Sequence, residues 1–350
     1  MNISKFQYDL PKDLIAQKPI NPRNHSKLLV VDRKTGNITS KHFYNLTDIL
    51  SKNDVLVLNK TKVFPARLYG RKETGGKVEI LLVKNVGKNT WECLTKPGLK
   101  NNSKIEFGLF SGIKISQTCE TSRVKFSINN TNLILFIDKI GYTPIPPYIH
   151  LKQNEKYLRE KYQTVYAKKI GSIAAPTAGF HFTKKMLKEL KNKGVKIEYL
   201  TLHVGLGTFE PVRTTKLENH KMHSEFFEIN EKTANRLNKY KKEQRRIIAV
   251  GTTTTRALES SFEKDKILPI KRNTSLFIYP PYKLKFVDSI ITNFHLPQTT
   301  LLALVSAFVS YPNTTEKFVD FNSSLIGKAY KKAIEERFRF YSFGDSSIIL

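Results

Sequence analysis

Residues 171–209 read GSIAAPTAGFHFTKKMLKELKNKGVKIEYLTLHVGLGTF. The stretch predicts a loop, a helix, a strand and a second loop. Pro176-Thr177-Ala178-Gly179-Phe180-His181 leads into the helix, and Thr183 is placed to cap it, since a hydroxyl oxygen there accepts a free amide of the first turn. Met186, Leu187 and Leu190 share one helical face, and Gly194 is the stop signal. Val195, Ile197 and Tyr199 open a strand that runs to His203. His203-Val204-Gly205-Leu206-Gly207-Thr208-Phe209 then follows at its carboxyl end. Open α/β sheets hold ligands beyond the carboxyl ends of their strands. This αβ unit, bracketed by two histidines and by small or hydroxyl residues, therefore predicts the floor of a site in an α/β fold.

The flanking sequence extends that reading. Residues 27–32 and 54–59 are short and continuously apolar in the middle, the pattern of strands covered on both faces. Beyond residue 150 helix and strand patterns alternate: helix over 231–243, strand over 246–251, helix over 256–263, strands over 274–279 and 289–292, helix over 299–310. Such alternation predicts a mostly parallel sheet with helices on both faces. The texture between these parts differs. Short β-rich runs at 66–71, 77–84, 90–95, 104–107, 113–117, 124–128 and 133–137 are separated by turn signals such as Gly75-Gly76, Pro97-Gly98 and Asn129-Asn130. They predict a small β-barrel inserted into the α/β domain. The expected organisation is a discontinuous α/β catalytic domain of residues 1–62 and 147–350, with a barrel domain of residues 63–146. Pro144, Pro146 and Pro147 would form a stiff return linker.

A chain of 350 residues suits two domains. Cys93 and Cys119 are its only cysteines, which excludes a disulfide framework and a cysteine zinc site. Residues 1–14 lack a basic leader and an apolar segment, and the longest apolar run, 301–309, is too short to span a membrane. A cytoplasmic protein without a membrane partner is expected. The formal charge of +29 suits a polyanionic partner. However, only 14 of the 59 basic residues are arginine and the lysines are scattered, so charge alone fits a solvated surface equally well.

Three motifs carry candidate chemistry. In Gly251-Thr252-Thr253-Thr254-Thr255-Arg256 a buried strand passes into a helix, and four hydroxyls with the free amides of a helix start make an anion-receptive turn. Arg256 is suited to a carboxylate or phosphate, and the motif lacks the GK[ST] ending of a P-loop. His203-Val204-Gly205-Leu206-Gly207 begins like a dinucleotide fingerprint, but Glu210 and Pro211 stand where its third glycine and helix would follow. Backbone approach to a substrate, or a tight turn, are the readings left. His295, in Thr292-Asn293-Phe294-His295, ends a strand as His203 does. His220 and His223 would need His181 and His203 as distant partners to hold a metal, and no metal is expected. No GxSxG elbow occurs. Residue chemistry thus predicts histidines and an arginine around an anionic or polar ligand, without fixing the reaction.

The segments YQTVYAKKIGSIAAPTAGFHF, TLHVGLGTFEPVR, ENHKMHSEFFEI, VGTTTTRALES and VDSIITNFHLPQTTLLALVSAF occur in this order. With NKTKVFPARLYGRK and GGKVEILL before them and RFYSFGDS after, the chain closely resembles the S-adenosylmethionine:tRNA ribosyltransferase-isomerases of queuosine biosynthesis over essentially its whole length. The resemblance implies an α/β domain with an inserted barrel. It also implies transfer and isomerisation of the ribosyl unit of S-adenosylmethionine onto 7-aminomethyl-7-deazaguanine at the tRNA wobble position. Epoxyqueuosine forms, and adenine and methionine leave. S-adenosylmethionine is then a consumed substrate, no cofactor is needed, and tRNA is the polyanionic partner of what is expected to be a monomer.

That chemistry requires proton removal beside the sulfonium, easier departure of a protonated adenine, a neutral attacking amine and a cation for the methionine carboxylate. Matched to the motifs, proton transfers fall to His181, His203 or His295, and the carboxylate to Arg256 with Thr252, Thr253, Thr254 and Thr255. Thr177, Gly179, Asn293 and the Gly205, Gly207 and Thr208 loop are expected to contact substrate, while Lys60, Lys62 and Arg67 would meet tRNA phosphates. Pro281, Ser310 and Thr254-Thr255 depart from the family pattern in local loop shape without deleting a chemical group. The competing readings are a non-catalytic basic tRNA-binding protein and a metal-dependent hydrolase built on the histidines.

Overall fold

The computed structural model describes residues 1–118, 121–150, 154–205, 207 and 212–350. Thr208 and Cys119 lie outside the described residues. A nine-stranded sheet forms the centre of the chain, and a closed six-stranded barrel is set between two of its strands in sequence.

The sheet is mixed rather than mostly parallel. Its middle is parallel, as expected: Lys196–Leu202, Asp54–Asn59, Arg246–Val250 and Ser289–Asn293 lie side by side in that order, all in one direction. The flanks are not. Glu225–Ile229 runs antiparallel to Lys196–Leu202, because the chain between them contains no α-helix among its described residues to carry it back to the starting edge. Ile270–Thr274 adds antiparallel beyond it. On the other side two successive helices, Thr300–Phe308 and Leu325–Glu335, precede Ser346–Ile349, which returns antiparallel to Ser289–Asn293. Lys27–Val31 pairs parallel with Ser346–Ile349 and turns tightly into antiparallel Ile38–His42.

Successive residues of the central strands enter two different hydrophobic clusters, as pleating requires. Val55, Val57, Ile247 and Ala249 pack with Leu237, Leu258 and Leu304 of the helices Glu231–Lys242, Thr252–Ser261 and Thr300–Phe308. Leu56, Leu58, Ile248 and Val250 pack instead with Met186, Leu187 and Leu190 of the helix Lys184–Asn192. Thr183 caps that helix by accepting the Met186 amide.

The barrel orders Ser122–Phe126, Thr90–Lys96, Lys77–Gly87, Arg67–Lys72, Lys104–Glu106 and Ser111–Gln117, and the last closes on the first. Residues 133–137, expected as a further strand, belong to the helix Asn130–Ile140. Asn129 caps it, and Leu133 and Ile137, four apart, bury together against the barrel while Leu135 faces out; the apolar run has helical rather than alternating periodicity. Two more boundaries shift. The strand expected over 274–279 ends at Thr274, and the helix expected from Arg256 begins already at Thr252, so the threonine run is its first turn. Among the described residues no helix is long and apolar enough to cross a membrane.

Candidate active site

The four parallel strands end at one edge, and a cleft opens there. Thr177, Thr252, Thr253, Asn293, His295 and Tyr341 reach it from four separate segments of the chain. Gly251 makes this convergence possible: at φ 91° it turns the strand Arg246–Val250 directly into the Thr252–Ser261 helix, a conformation that costs glycine little.

The four threonines divide two and two. Thr252 and Thr253 line the cleft. Thr254 and Thr255 are fully buried, and their hydroxyls donate to Val250 O at 2.7 Å and Gly251 O at 3.3 Å. Arg256 lies one turn on. Its Nη1 donates to the buried carboxylate of Glu225 and its Nε to Leu276 O at 2.9 Å, from the segment that leaves the sheet after Thr274. Its Nη2 is buried with no hydrogen-bond partner. A bidentate grip on a ligand is thus already committed internally, and one N–H pair remains to offer. A small pocket holds Arg256, Thr252, Thr253 and Gly207 together, next to the main cleft. Glu225 also accepts the Gly205 amide at 2.8 Å, which ties the loop after His203 to the arginine.

The three histidines do not converge. His295 lines the cleft, with Nε2 2.8 Å from Thr292 Oγ1, and burial lowers its pKa to about 3. His181 lies behind Asn293. Asn293 accepts from Thr177 Oγ1 at 3.0 Å and turns Nδ2 toward His181 Nε2 at 3.3 Å. Nε2 is therefore the acceptor, and Nδ1–H faces Ser26 Oγ at 2.7 Å. Burial, with Arg339 and Arg23 adding to it, brings the His181 pKa to about 3. His203 is on the other side of Val204, its Nδ1 2.8 Å from Thr61 Oγ1 and its ring stacked on Phe226. Burial and then Lys169 lower its pKa to about 4. All three rings are neutral at neutral pH, so they accept protons or hold groups in place rather than arrive as acids.

His203 lines a second, larger depression, a trench of about 560 Å³ between the barrel and the sheet. Gly171 passes close beside the imidazole; at φ 147° a Cβ there would meet His203 Nε2 at 2.6 Å. Val204 lines both the trench and the cleft, and His223 lines both the trench and the arginine pocket. Gly179 is elsewhere, buried under the Tyr166 hydroxyl, where no side chain fits. Lys60 and exposed Lys62 flank Thr61 on the strand Thr61–Val63, paired with Lys169–Ser172. Arg67 is engaged: its Nε pairs with Glu79 at 3.3 Å, and its backbone exchanges hydrogen bonds with Tyr142. Among the described residues no group of three or more His, Cys, Asp or Glu is placed to hold a metal.

Three contributors were missed by motif reasoning. Glu225 carries no motif of its own: along the chain it is one carboxylate in a strand pattern close to the more conspicuous His223. Asn59 ends a strand that is apolar from Val55 to Leu58, and its amide bridges Leu202 O and the Leu202 and Thr61 amides, fixing where two strands stop. Such a buried asparagine at the end of an apolar run was a readable signal. Tyr148 follows the predicted proline linker and enters the cleft with its hydroxyl 2.6 Å from Ser342 Oγ.

The chain matches the profile of the queuosine biosynthesis protein family over residues 3–349. It is 47% identical to a protein of Fusobacterium nucleatum across 99% of this chain and 96% of that relative. It is also 46% identical to one of Halothermothrix orenii across the whole of both. Both are named S-adenosylmethionine:tRNA ribosyltransferase-isomerase. The crystal structure of the S-adenosylmethionine tRNA ribosyltransferase of Thermotoga maritima is similar with a TM-score of 0.54 and 33% identity, covering 99% of this chain and all of that one.

Proposed function

The chain belongs to the queuosine biosynthesis family, and we propose that it works as an S-adenosylmethionine:tRNA ribosyltransferase-isomerase. It moves the ribosyl unit of S-adenosylmethionine onto the aminomethyl group of a 7-deazaguanine at the wobble position of tRNA and isomerises it to epoxyqueuosine, releasing adenine and methionine. The observation that carries this reading is convergence: Thr177, Thr252, Asn293 and Tyr341, from four separate motifs, line one cleft at the ends of parallel strands.

In this reading Arg256 meets the methionine carboxylate through Nη2, helped by Thr252 and Thr253, while Glu225 holds the guanidinium in place. Buried arginine with a free N–H pair is a suitable partner for a carboxylate. His295 faces the ribosyl unit, and His203 approaches the same region from beyond Val204. A neutral imidazole is what abstraction of a proton beside a sulfonium needs. His181 fixes Asn293 and, through it, Thr177. The Gly205–Gly207 loop, with Thr208, contacts the base of the substrate. Lys60 and Lys62 meet tRNA phosphates; Arg67 belongs to the same rim, though Glu79 holds it. Residues 63–146 act as an inserted unit on a discontinuous domain of residues 1–62 and 147–350, whose helices cover both faces of a sheet with a parallel centre. In this reading the chain acts as a monomer, and tRNA as substrate suits the cytoplasm.

The test is adenine release. Purified protein with S-adenosylmethionine and precursor-bearing tRNA should liberate free adenine, and omission of the tRNA should abolish it. A non-catalytic tRNA-binding protein would bind the tRNA and release none.

A further inference from the structure

We infer that the trench between barrel and sheet is the subsite for the target nucleotide, a purine-like base turned out of its RNA strand, and that S-adenosylmethionine occupies the cleft beyond Val204 with the adjoining arginine pocket. This rests on the ribosyl-transfer reading, which requires two substrates to meet at one point.

Charge separates the two depressions. The described lining of the cleft contains no lysine, arginine or carboxylate, whereas Lys84 and Glu92 both line the trench. Lys60, Lys169 and Lys271 gather around Glu228, two residues along the strand from the trench-lining Phe226, and hold its carboxyl below the usual range, the Lys169 hydrogen bond first. These lysines draw a polyanion to the trench side, whereas Arg256 beside the cleft offers one N–H pair to a single carboxylate. Lining chemistry agrees. The half-buried ring of Phe226, stacked with His203, and the rims of the buried Phe64 and Trp91 line it, and aromatic side chains are the usual partners of unstacked bases. A base processed by an enzyme must leave its stack to reach the reacting atoms, and a deep slot beside the catalytic edge receives it.

The partition lies where a reaction would have to occur. Val204 lines both depressions. It is pinned from behind: its amide donates to Ser172 Oγ at 2.8 Å, and its carbonyl accepts the Ile173 amide at 3.3 Å. An aminomethyl group on a base in the trench and a ribosyl unit in the cleft therefore meet past the edge of this one shared residue, in direct contact with each other.

Asn85 and Lys84 are exposed at the trench and touch nothing in the cleft, so Asn85→Trp blocks it and Lys84→Glu reverses its charge without disturbing the core. Steady-state kinetics with precursor tRNA and equilibrium dialysis of S-adenosylmethionine read the two substrates separately. Each variant should raise the tRNA KM about tenfold, while S-adenosylmethionine affinity stays within about twofold of the parent. A photoreactive base at the target position should cross-link to the strands Lys77–Gly87 or Thr90–Lys96. Weakened S-adenosylmethionine binding with an unmoved tRNA KM, unmoved values for both, or cross-links confined to residues 292–301 would each overturn the assignment. Parent protein that releases no adenine with tRNA would instead defeat the reaction itself, a different result from an active parent with insensitive variants.

Discussion

Glu225 and Arg256 form a buried ion pair in which the carboxylate holds Nη1 and leaves Nη2 unpartnered. The pair fixes a cation beside the cleft without consuming it, and the same carboxylate anchors the Gly205 amide. Removing one partner of such a pair leaves a buried charge uncompensated, which costs about 3–5 kcal/mol. Glu225→Gln should lower stability by that order in urea unfolding. Arg256→Lys keeps the charge but not the fork, and should raise the KM for S-adenosylmethionine roughly tenfold or more while leaving tRNA binding unchanged. An unchanged KM would detach Arg256 from the methionine carboxylate.

The threonine run makes a paired prediction. Thr252→Val and Thr253→Val remove hydroxyls that face the cleft and should lower kcat/KM with little change in Tm. Thr254→Val and Thr255→Val remove hydroxyls bonded to Val250 O and Gly251 O, and should cost about 1 kcal/mol of stability each with kcat/KM near the parent value.

Stability should fall in acid through the histidines. His181 and His295 titrate near 3 in the fold and near 6.5 when unfolded, so between those values the unfolded chain binds more protons. Their neutral forms contribute fully above about pH 6.5, and that contribution is lost as pH falls toward 3, by on the order of a few kcal/mol per ring. Urea midpoints from pH 7.5 to 4.5 should decline, and His295→Gln should flatten the slope. A slope identical to the parent's would contradict a neutral buried His295.

Gly171→Ala tests the contact with His203. An alanine at φ 147° is strained, and its Cβ falls on the imidazole. A cost on the order of 1–3 kcal/mol and loss of turnover are expected, with far-ultraviolet circular dichroism unchanged. Parent-like turnover would show that His203 tolerates displacement.

The sequence made the layout readable where local signals are strong. Thr183, Gly194 and the apolar face of the Lys184–Asn192 helix behave as their residue types dictate, and the closed barrel follows from closely spaced strands and turn residues. The flanks of the sheet were less readable, because strand direction depends on how many helices lie between strands that are distant in sequence. Residues 133–137 misled because a five-residue apolar run carries too little length to separate helical from alternating periodicity. Within the site, motif membership located Thr252, Asn293 and His295 at the cleft, yet nothing along the chain separates Thr253 from Thr254; only helix geometry does. Glu225 escaped notice because its partner Arg256 is 31 residues away in sequence.

The central claim is that the ribosyl carbons, and not the methyl group, pass from S-adenosylmethionine to tRNA. It is tested most directly by supplying S-adenosylmethionine carbon-13-labelled in the ribosyl unit, or separately in the methyl group, with precursor tRNA, and weighing the wobble nucleoside by mass spectrometry. Ribosyl label in the nucleoside, with free adenine formed in equal amount and methyl label recovered in methionine, is the predicted result. Methyl label in the nucleoside, or an unlabelled nucleoside beside intact S-adenosylmethionine, would contradict it.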